Sequence, residues 1–391
     1  MPTVLSADEA AALVRPVDSI GFGLGPANPD AFLTALGRRD HWDDLVLGGA
    51  LCLNFYDVFT KPGVSYRCGF FGPAERLLHT RGHRIELVPG GFRQMGPILA
   101  RFAPRVMVAQ GAPPEDGRVN LSLHLGATRA ELLRAGEDPA RLLLLEVNPH
   151  LPRTSSLPPR FDNTIPLELV DAIVESDALP FALPATAGDE VDAAIARHAL
   201  AYVAQGSTLQ TGIGAIPNFV ARELAKGPLG GFGVHSEMFT DGLMELHRAG
   251  KVTNDAKGVF DGASVTTFAL GSLDLYGQVV ADNIGGRQIS GVGGHEDFVA
   301  AAELHLDAHS LICLRSTAVQ AGTVVSRICG LLPEGSVVST PRHHTGVVVT
   351  EYGAAELTGL TVRERAHRLV AIAHPDFRDE LGKVADGLGR T

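Results

Sequence analysis

DSIGFGLGPANPDAFLTALG (residues 18–37) and STLQTGIGAIPNFVARELAKG (207–227) share one pattern: an apolar strand, a G-x-G turn, Pro or Asn, then a short helix closing on Gly. A strand that turns through glycine into a helix is the unit of an α/β protein, and its recurrence hints that the two halves are versions of one unit. Working outward from the first copy, short apolar runs alternate with helix-like stretches: SIGFGL (19–24), DLVLGGAL (44–51), RIELVPG (84–90), RVMVAQG (105–111) and RLLLLEV (141–147). Continuous apolar strands of this kind predict a sheet buried on both faces, hence parallel strands with crossover helices. Around the second copy, strands are expected at FGVHSE (232–237), VTTFAL (265–270), SLICLRS (310–316), SVVST (336–340) and VVVTEY (347–352). The C-terminal LTVRERAHRLVAIAHPDFRDELGKVADGL (360–388) reads as helical, with Pro375 breaking it or starting a turn.

A chain of 391 residues exceeds the roughly 250–300 at which one hydrophobic core stops growing, so two domains are expected. The Pro-, Ala- and acid-rich SDALPFALPATAGDEVD (176–192) runs into a helix-like DEVDAAIARHALAYVAQG (189–206), which places the boundary near residue 185 and the domains at 1–185 and 186–391. The net charge of −11 and the lack of a dense basic run argue against a nucleic-acid partner. Cys52, Cys68, Cys313 and Cys329 lack CxxC or Cys/His ligand spacing and read as buried reduced thiols, which fits a cytoplasmic protein. The N-terminus lacks a basic stretch followed by an apolar one, and no apolar run reaches membrane-spanning length, so neither export by that route nor a membrane span is expected.

Three glycine-rich stretches carry the candidate chemistry. GFGLG (21–25) and GIGAIP (212–217), each between a strand and a helix, offer backbone N–H groups to a phosphate or oxyanion, or simply make a tight turn. Neither has the GxGxxG spacing of a dinucleotide site. In GFGVHSEMFTDG (231–242), Glu237 stands where a strand gives way to a helix, a place where α/β proteins carry out chemistry. By residue type alone Glu237 is also readable as a helix-capping or surface acid, and His235 as a satisfied polar residue. ISGVGGHEDF (289–298) again precedes a helix with the same ambiguity. The absence of G-x-S-x-G and of HExxH disfavours a serine hydrolase and a zinc site, so no metal is expected.

Taken together, GIGAIPN, GVHSEMFTDG and ISGVGGHEDF, with EVNPHLPRT (146–154) and VVVTEYGAAELTGLTVRERAHRLVAIAHPDFRDEL (347–381), resemble the acetyl-CoA hydrolase/transferase family of class I CoA-transferases, nearest its 4-hydroxybutyrate branch. The resemblance implies two open α/β/α domains of similar topology with the active site in the cleft between them, and a homo-oligomer. It implies Glu237 as the nucleophile that carries coenzyme A as a glutamyl thioester. Oxyanion or CoA contacts would come from Gly212, Ile213, Gly214, Ala215, Ile216, Gly293 and Gly294, with Gln210, Asn218 and His235 as further contacts. Coenzyme A is then substrate and covalent intermediate, with no permanently bound cofactor. The partners are an acyl-CoA and a small carboxylate of the acetate, butyrate or 4-hydroxybutyrate type. VTTFALGSLDLYGQV (265–279) and CLRST (313–317) depart from the family pattern and leave the acid open; Arg315 is a candidate contact to an acid or a CoA phosphate, or a surface ion pair. An acyl-CoA hydrolase on the same site and a catalytically silent CoA sensor are the alternatives.

Overall fold

The computed structural model describes residues 2–124, 128–156, 161–180, 188–212, 214–266, 273–274, 283–284, 287–288, 290, 293–302, 308–320, 322–332 and 336–388. The chain forms two compact units, Met1–Leu183 with Ile289–Gly291, and Pro184–Gln288 with Val292–Thr391. The division falls in a stretch outside the described residues.

The first unit contains strands β1 (Thr3–Leu5), β2 (Val17–Phe22), β3 (Asp44–Gly49), β4 (Val64–Cys68), β5 (Ile85–Leu87), β6 (Val106–Gly111), β7 (Arg118–Asn120), β8 (Leu142–Val147), β9 (Thr164–Pro166) and β10 (Ala172–Glu175). Its helices are α1 (Ala7–Ala12), α2 (Asp30–Leu36), α3 (Pro73–Thr80), α4 (Met95–Phe102) and α5 (Arg129–Glu137). Eight strands make one sheet in the order β1-β10-β8-β6-β2-β3-β4-β5, with every neighbouring pair parallel, while β7 and β9 pair antiparallel beside it. From β2 the chain winds one way through β3, β4 and β5, then returns to build β6, β8 and β10 on the other side. The direction of winding reverses between β2 and β6.

The apolar runs form this sheet because both faces are covered. Alternate residues of one strand enter different cores: Val106 and Val108 join one with Ile20, Phe22 and Leu144, whereas Met107 and Ala109 join another with Leu143 and Leu145. Glu146, near the carboxyl end of β8, is fully buried, and its carboxylate accepts the N–H groups of Ala31 and Phe32, both at 3.1 Å, in the first turn of α2. Burial pushes it up to about 7 against the pull of those two donors.

Of the two readings open for the GFGLG loop, the structure favours the tight turn over the anion cradle. Gly23 N–H donates to Val108 O (2.9 Å), Gly25 N–H to Leu51 O (3.1 Å) and Asn28 N–H to Gly25 O (2.9 Å), so these donors of the loop are consumed within the fold. Gly25, at φ +55°, supplies the left-handed turn that lets the chain enter a 3-10 turn at Gly25–Ala27.

The second unit opens with α6 (Glu190–Leu200), capped by Asp189, whose side chain accepts from Val191 and Asp192 N–H. Then β11 (Thr208–Leu209), α7 (Ala215–Lys226), β12 (Gly233–Ser236), α8 (Asp241–Arg248) and β13 (Val265–Thr266) alternate, and the three strands pair in parallel in the order β11-β12-β13. Leu209, Leu224, Phe232, Val234, Leu243 and Leu246 form their core. Beyond α9 (His295–Ala302), Leu311–Cys313 pairs in parallel with Val347–Thr350, which pairs antiparallel with Gly353–Glu356. Helices α10 (Val362–Ala371) and α11 (Pro375–Gly387) pack on this layer, with Pro375 in the first turn of α11, where its missing N–H costs nothing.

Two expectations change. SVVST (336–340) is not a strand: among the described residues it has only a bridge residue at 340, and Val337 and Val338 are exposed, so its β-branched residues have no ladder or core to join. All four cysteines are free, but only Cys52 and Cys68 are buried; Cys313 and Cys329 are half-buried, Cys313 because it ends an edge strand.

Candidate active site

Glu237 follows the last residue of β12 and precedes α8, which is capped by Thr240 accepting from Leu243 N–H. The strand that delivers it is held by side chains on both flanks. Val234 N–H donates to Asn254 Oδ1 (2.8 Å), and Lys257 Nζ donates to Val234 O (3.0 Å) and Ala263 O (2.6 Å). Ser236 is fully buried, and its Oγ both accepts from Thr211 N–H and donates to Thr211 O, each at 3.1 Å. The loop that leads into α7 is thereby tied to the end of β12. Within it Gly214 has φ +121°, a backbone conformation essentially open only to glycine.

Glu237 is 2% exposed. Its Oε1 accepts the Gly294 N–H at 3.1 Å, from the turn that opens α9, and Gly293 before it takes the left-handed φ of +58° that aims this turn. Oε2 is buried and has no hydrogen-bond partner among the described residues. Burial pushes the Glu237 carboxyl up to about 8; the Gly294 hydrogen bond pulls it down and the charge of Asp297, in the first turn of α9, pushes it further up. A desolvated carboxylate with one oxygen unfilled is a strong nucleophile once its proton is gone.

Other polar atoms gather unpartnered around these segments. Thr211 Oγ1, Asn218 Oδ1 and His295 Nε2 are each buried with no hydrogen-bond partner among the described residues. Burial normally selects against such atoms. His235 is half-buried beside the Phe260 ring, and burial, then Lys257, hold its imidazole below the usual histidine range.

Of the residues singled out from the sequence, Glu237 and Gly294 are in direct contact, and Gly293 shapes that contact. Gly212 and Gly214 lie in the tied loop, and Ala215 and Ile216 begin α7, with Ile216 packed beside Ile195, Val347 and Val349. Asn218 N–H donates to Gly214 O, and Gln210 is exposed. Ile213 lies outside the described residues. Arg315 is engaged elsewhere: its guanidinium donates to both carboxylate oxygens of Asp192 (2.9 and 2.6 Å) and lies 2.9 Å from Asp189, clamping the start of α6. Sequence reasoning did not single out Thr211, Ser236, Asn254, Lys257 or Asp297; only Asp297, within GGHEDF, carried a local signal in its place beside the glycine pair.

Residues 245–385 match the family model described as acetyl-CoA hydrolase/transferase C-terminal domain. Over 436 aligned positions the chain is 35% identical to a probable butyrate:acetyl-CoA coenzyme A-transferase of Syntrophomonas wolfei, covering 98% of this chain and 94% of that protein. The chain belongs to the acetyl-CoA hydrolase/transferase family. This makes it an enzyme of the CoA-transferase class. A second relative of that class, the 4-hydroxybutyrate coenzyme A transferase of Clostridium kluyveri, is 37% identical over 62% of this chain and 64% of its own length. The crystal structure of RipA from Yersinia pestis superposes with a TM-score of 0.87 at 27% identity, covering 99% of this chain and 97% of that one. No group of three or more His, Cys, Asp or Glu side chains able to hold a metal occurs among the described residues of this family member, and none of its described helices is long and apolar enough to cross a membrane.

Proposed function

We propose that this enzyme moves coenzyme A from an acyl-CoA to a small carboxylate by a ping-pong reaction through Glu237. The observation that carries the reading is the state of that carboxylate: buried at a strand end, one oxygen held by the Gly294 N–H and the other unfilled. Attack by the free oxygen on the thioester carbonyl gives a tetrahedral oxyanion, which expels CoA thiolate and leaves an acyl-glutamyl anhydride. The thiolate then attacks the glutamyl carbonyl, releasing the first acid and leaving CoA as a thioester on Glu237. A second carboxylate reverses both steps, so the thioester bond energy is retained and neither ATP nor a metal is consumed. Backbone N–H groups from the 212–216 loop and the Gly293–Gly294 turn supply oxyanion donors. The names of the two relatives support butyrate, acetate or 4-hydroxybutyrate as the acid. The family resemblance supports a homo-oligomer, and four free cysteines support a cytoplasmic setting.

The test is peptide mass analysis after incubation with acetyl- or butyryl-CoA, with borohydride trapping and a Glu237→Ala control. A CoA-sized adduct or its reduced alcohol at Glu237 supports the reading. Tight CoA binding with no adduct overturns it in favour of a silent sensor, and CoA release at the same rate without an acceptor acid moves it to hydrolysis.

A further inference from the structure

Glu296 and His344 have no part in the reaction just described, yet they adjoin its machinery. Gly294, whose N–H holds Glu237, is directly followed by α9, and Glu296 sits in the first turn of that helix. Glu296 Oε1 meets Nδ1 of His344 at 2.5 Å, with both side chains mostly buried. His344 ends a 3-10 turn at Arg342–His344, and the neighbouring His343 ring packs edge-on at 4.3 Å between centroids. That turn is itself fixed from α10: Arg365 donates to Leu357 O (2.9 Å), Arg342 O (2.6 Å) and Thr345 O (3.3 Å), and Gly346 N–H donates to Ser310 Oγ at 3.1 Å. A continuous run of contacts therefore leads from α10 through the His344 turn and Glu296 to the Gly294 N–H.

We propose that Glu296 and His344 are a positioning pair that fixes the first turn of α9, and with it the Gly294 N–H, against Glu237. This rests on the CoA-transfer reading above. An acid in a first helical turn favours the helix through its dipole wherever the helix lies, so charge alone does not set the turn's lateral position. Contact with a turn anchored to another helix does. The position matters because the Gly294 donor must follow the oxygen as it becomes part of a tetrahedral centre, and misplacement by ~1 Å costs up to about 100-fold in rate.

The experiment uses the full chain with Glu296→Ala, Glu296→Gln, His344→Ala and the double alanine variant, reading steady-state CoA exchange, melting temperature and amide hydrogen exchange in peptides covering residues 293–298. Each alanine variant is expected to lower kcat by about 10- to 100-fold with KM for acyl-CoA within about two-fold. The double variant should be no worse than the worse single one. Glu296→Gln should recover most of the rate, because its amide oxygen still accepts from Nδ1–H, and the 293–298 amides should exchange faster in the alanine variants at unchanged melting temperature. Additive losses, a change in KM alone, unaltered amide exchange, or a loss in Glu296→Gln equal to that in Glu296→Ala would each overturn the proposal. Should an alanine variant fail to melt cooperatively, Glu296→Leu and His344→Phe, which keep the bulk and lose the hydrogen bond, carry the same comparison. If the wild-type protein exchanges no CoA, the transfer reading has failed on its own, and amide exchange still decides whether the pair holds the turn.

Discussion

Glu146 and Glu237 occupy matching places in the two units: each lies at the carboxyl end of a parallel strand, each is buried, and each faces the start of a helix. Their surroundings differ in how the carboxylate oxygens are filled. Glu146 has both oxygens filled, one by Ala31 N–H and one by Phe32 N–H. Glu237 has Oε1 filled by Gly294 N–H and Oε2 left with no partner among the described residues. Burial raises both carboxyls, to about 7 and about 8 respectively, so burial does not separate a structural acid from the proposed nucleophile. Glu75 Oε2 and Glu296 Oε2 are buried and unfilled as well, so the free oxygen sets Glu237 apart only together with its place at a strand end against the Gly294 turn.

The largest test of that contrast is isosteric. Glu237→Gln should lower CoA exchange by at least about 10³-fold, whereas Glu146→Gln should leave kcat near the wild-type value; a coupled assay of acyl-CoA formation measures both. Next in size is stability. Glu146→Ala strands two buried N–H groups, each worth about 1–3 kcal/mol, so denaturant unfolding should show a loss of about 2–6 kcal/mol; an unchanged midpoint would mean that water replaces the carboxylate. A third test is pH. In the proposed reaction only the ionised Glu237 attacks, so kcat/KM should climb as pH rises toward about 8 and level off above it.

The same shift acts on folding with the opposite sense. Glu237 is raised above its unfolded value, so its contribution is fully present below the unfolded pKa and is lost as pH rises through about 8. Glu237→Gln should therefore melt higher than wild type at pH 8 and above, and equal melting temperatures there would contradict the raised value. The smallest effect belongs to Asp297→Asn. Removing a charge that pushes Glu237 up should move the kcat/KM midpoint toward lower pH, by less than the shift that burial causes.

The sheet of the first unit was legible because β2, β3, β6 and β8 carry short apolar runs, IGF (20–22), LVLGG (45–49), VMVA (106–109) and LLLL (142–145), as strands covered on both faces do. SVVST has the same residue types, but β-branched residues describe a strand only when a neighbouring strand exists, and that is a tertiary fact. GFGLG and GIGAIP are nearly the same word. Only the positions of Val108 O and Leu51 O, far away in sequence, reveal that the first loop's N–H groups are already taken. The placement of Glu237 at a strand end was readable from GVHSE, whereas its proposed role came from resemblance. Nothing local joins Glu296 to His344, 48 residues apart, or Arg315 to Asp192, 123 apart, since such pairs exist only once separate segments are folded together.

Ser236 bears on how the proposed nucleophile is displayed. The backbone pairing of β11 with β12 ends at Leu209 and Val234, two residues before Ser236. The Ser236 hydroxyl then bridges to Thr211 by giving one hydrogen bond and taking another, as a further rung of the ladder would, but made by a side chain. The seam between the two segments is lengthened by a side chain, while on its other side Ser236 stays in register with Thr266 of β13, so the strand end before Glu237 is held by a ladder on one flank and by a hydroxyl on the other.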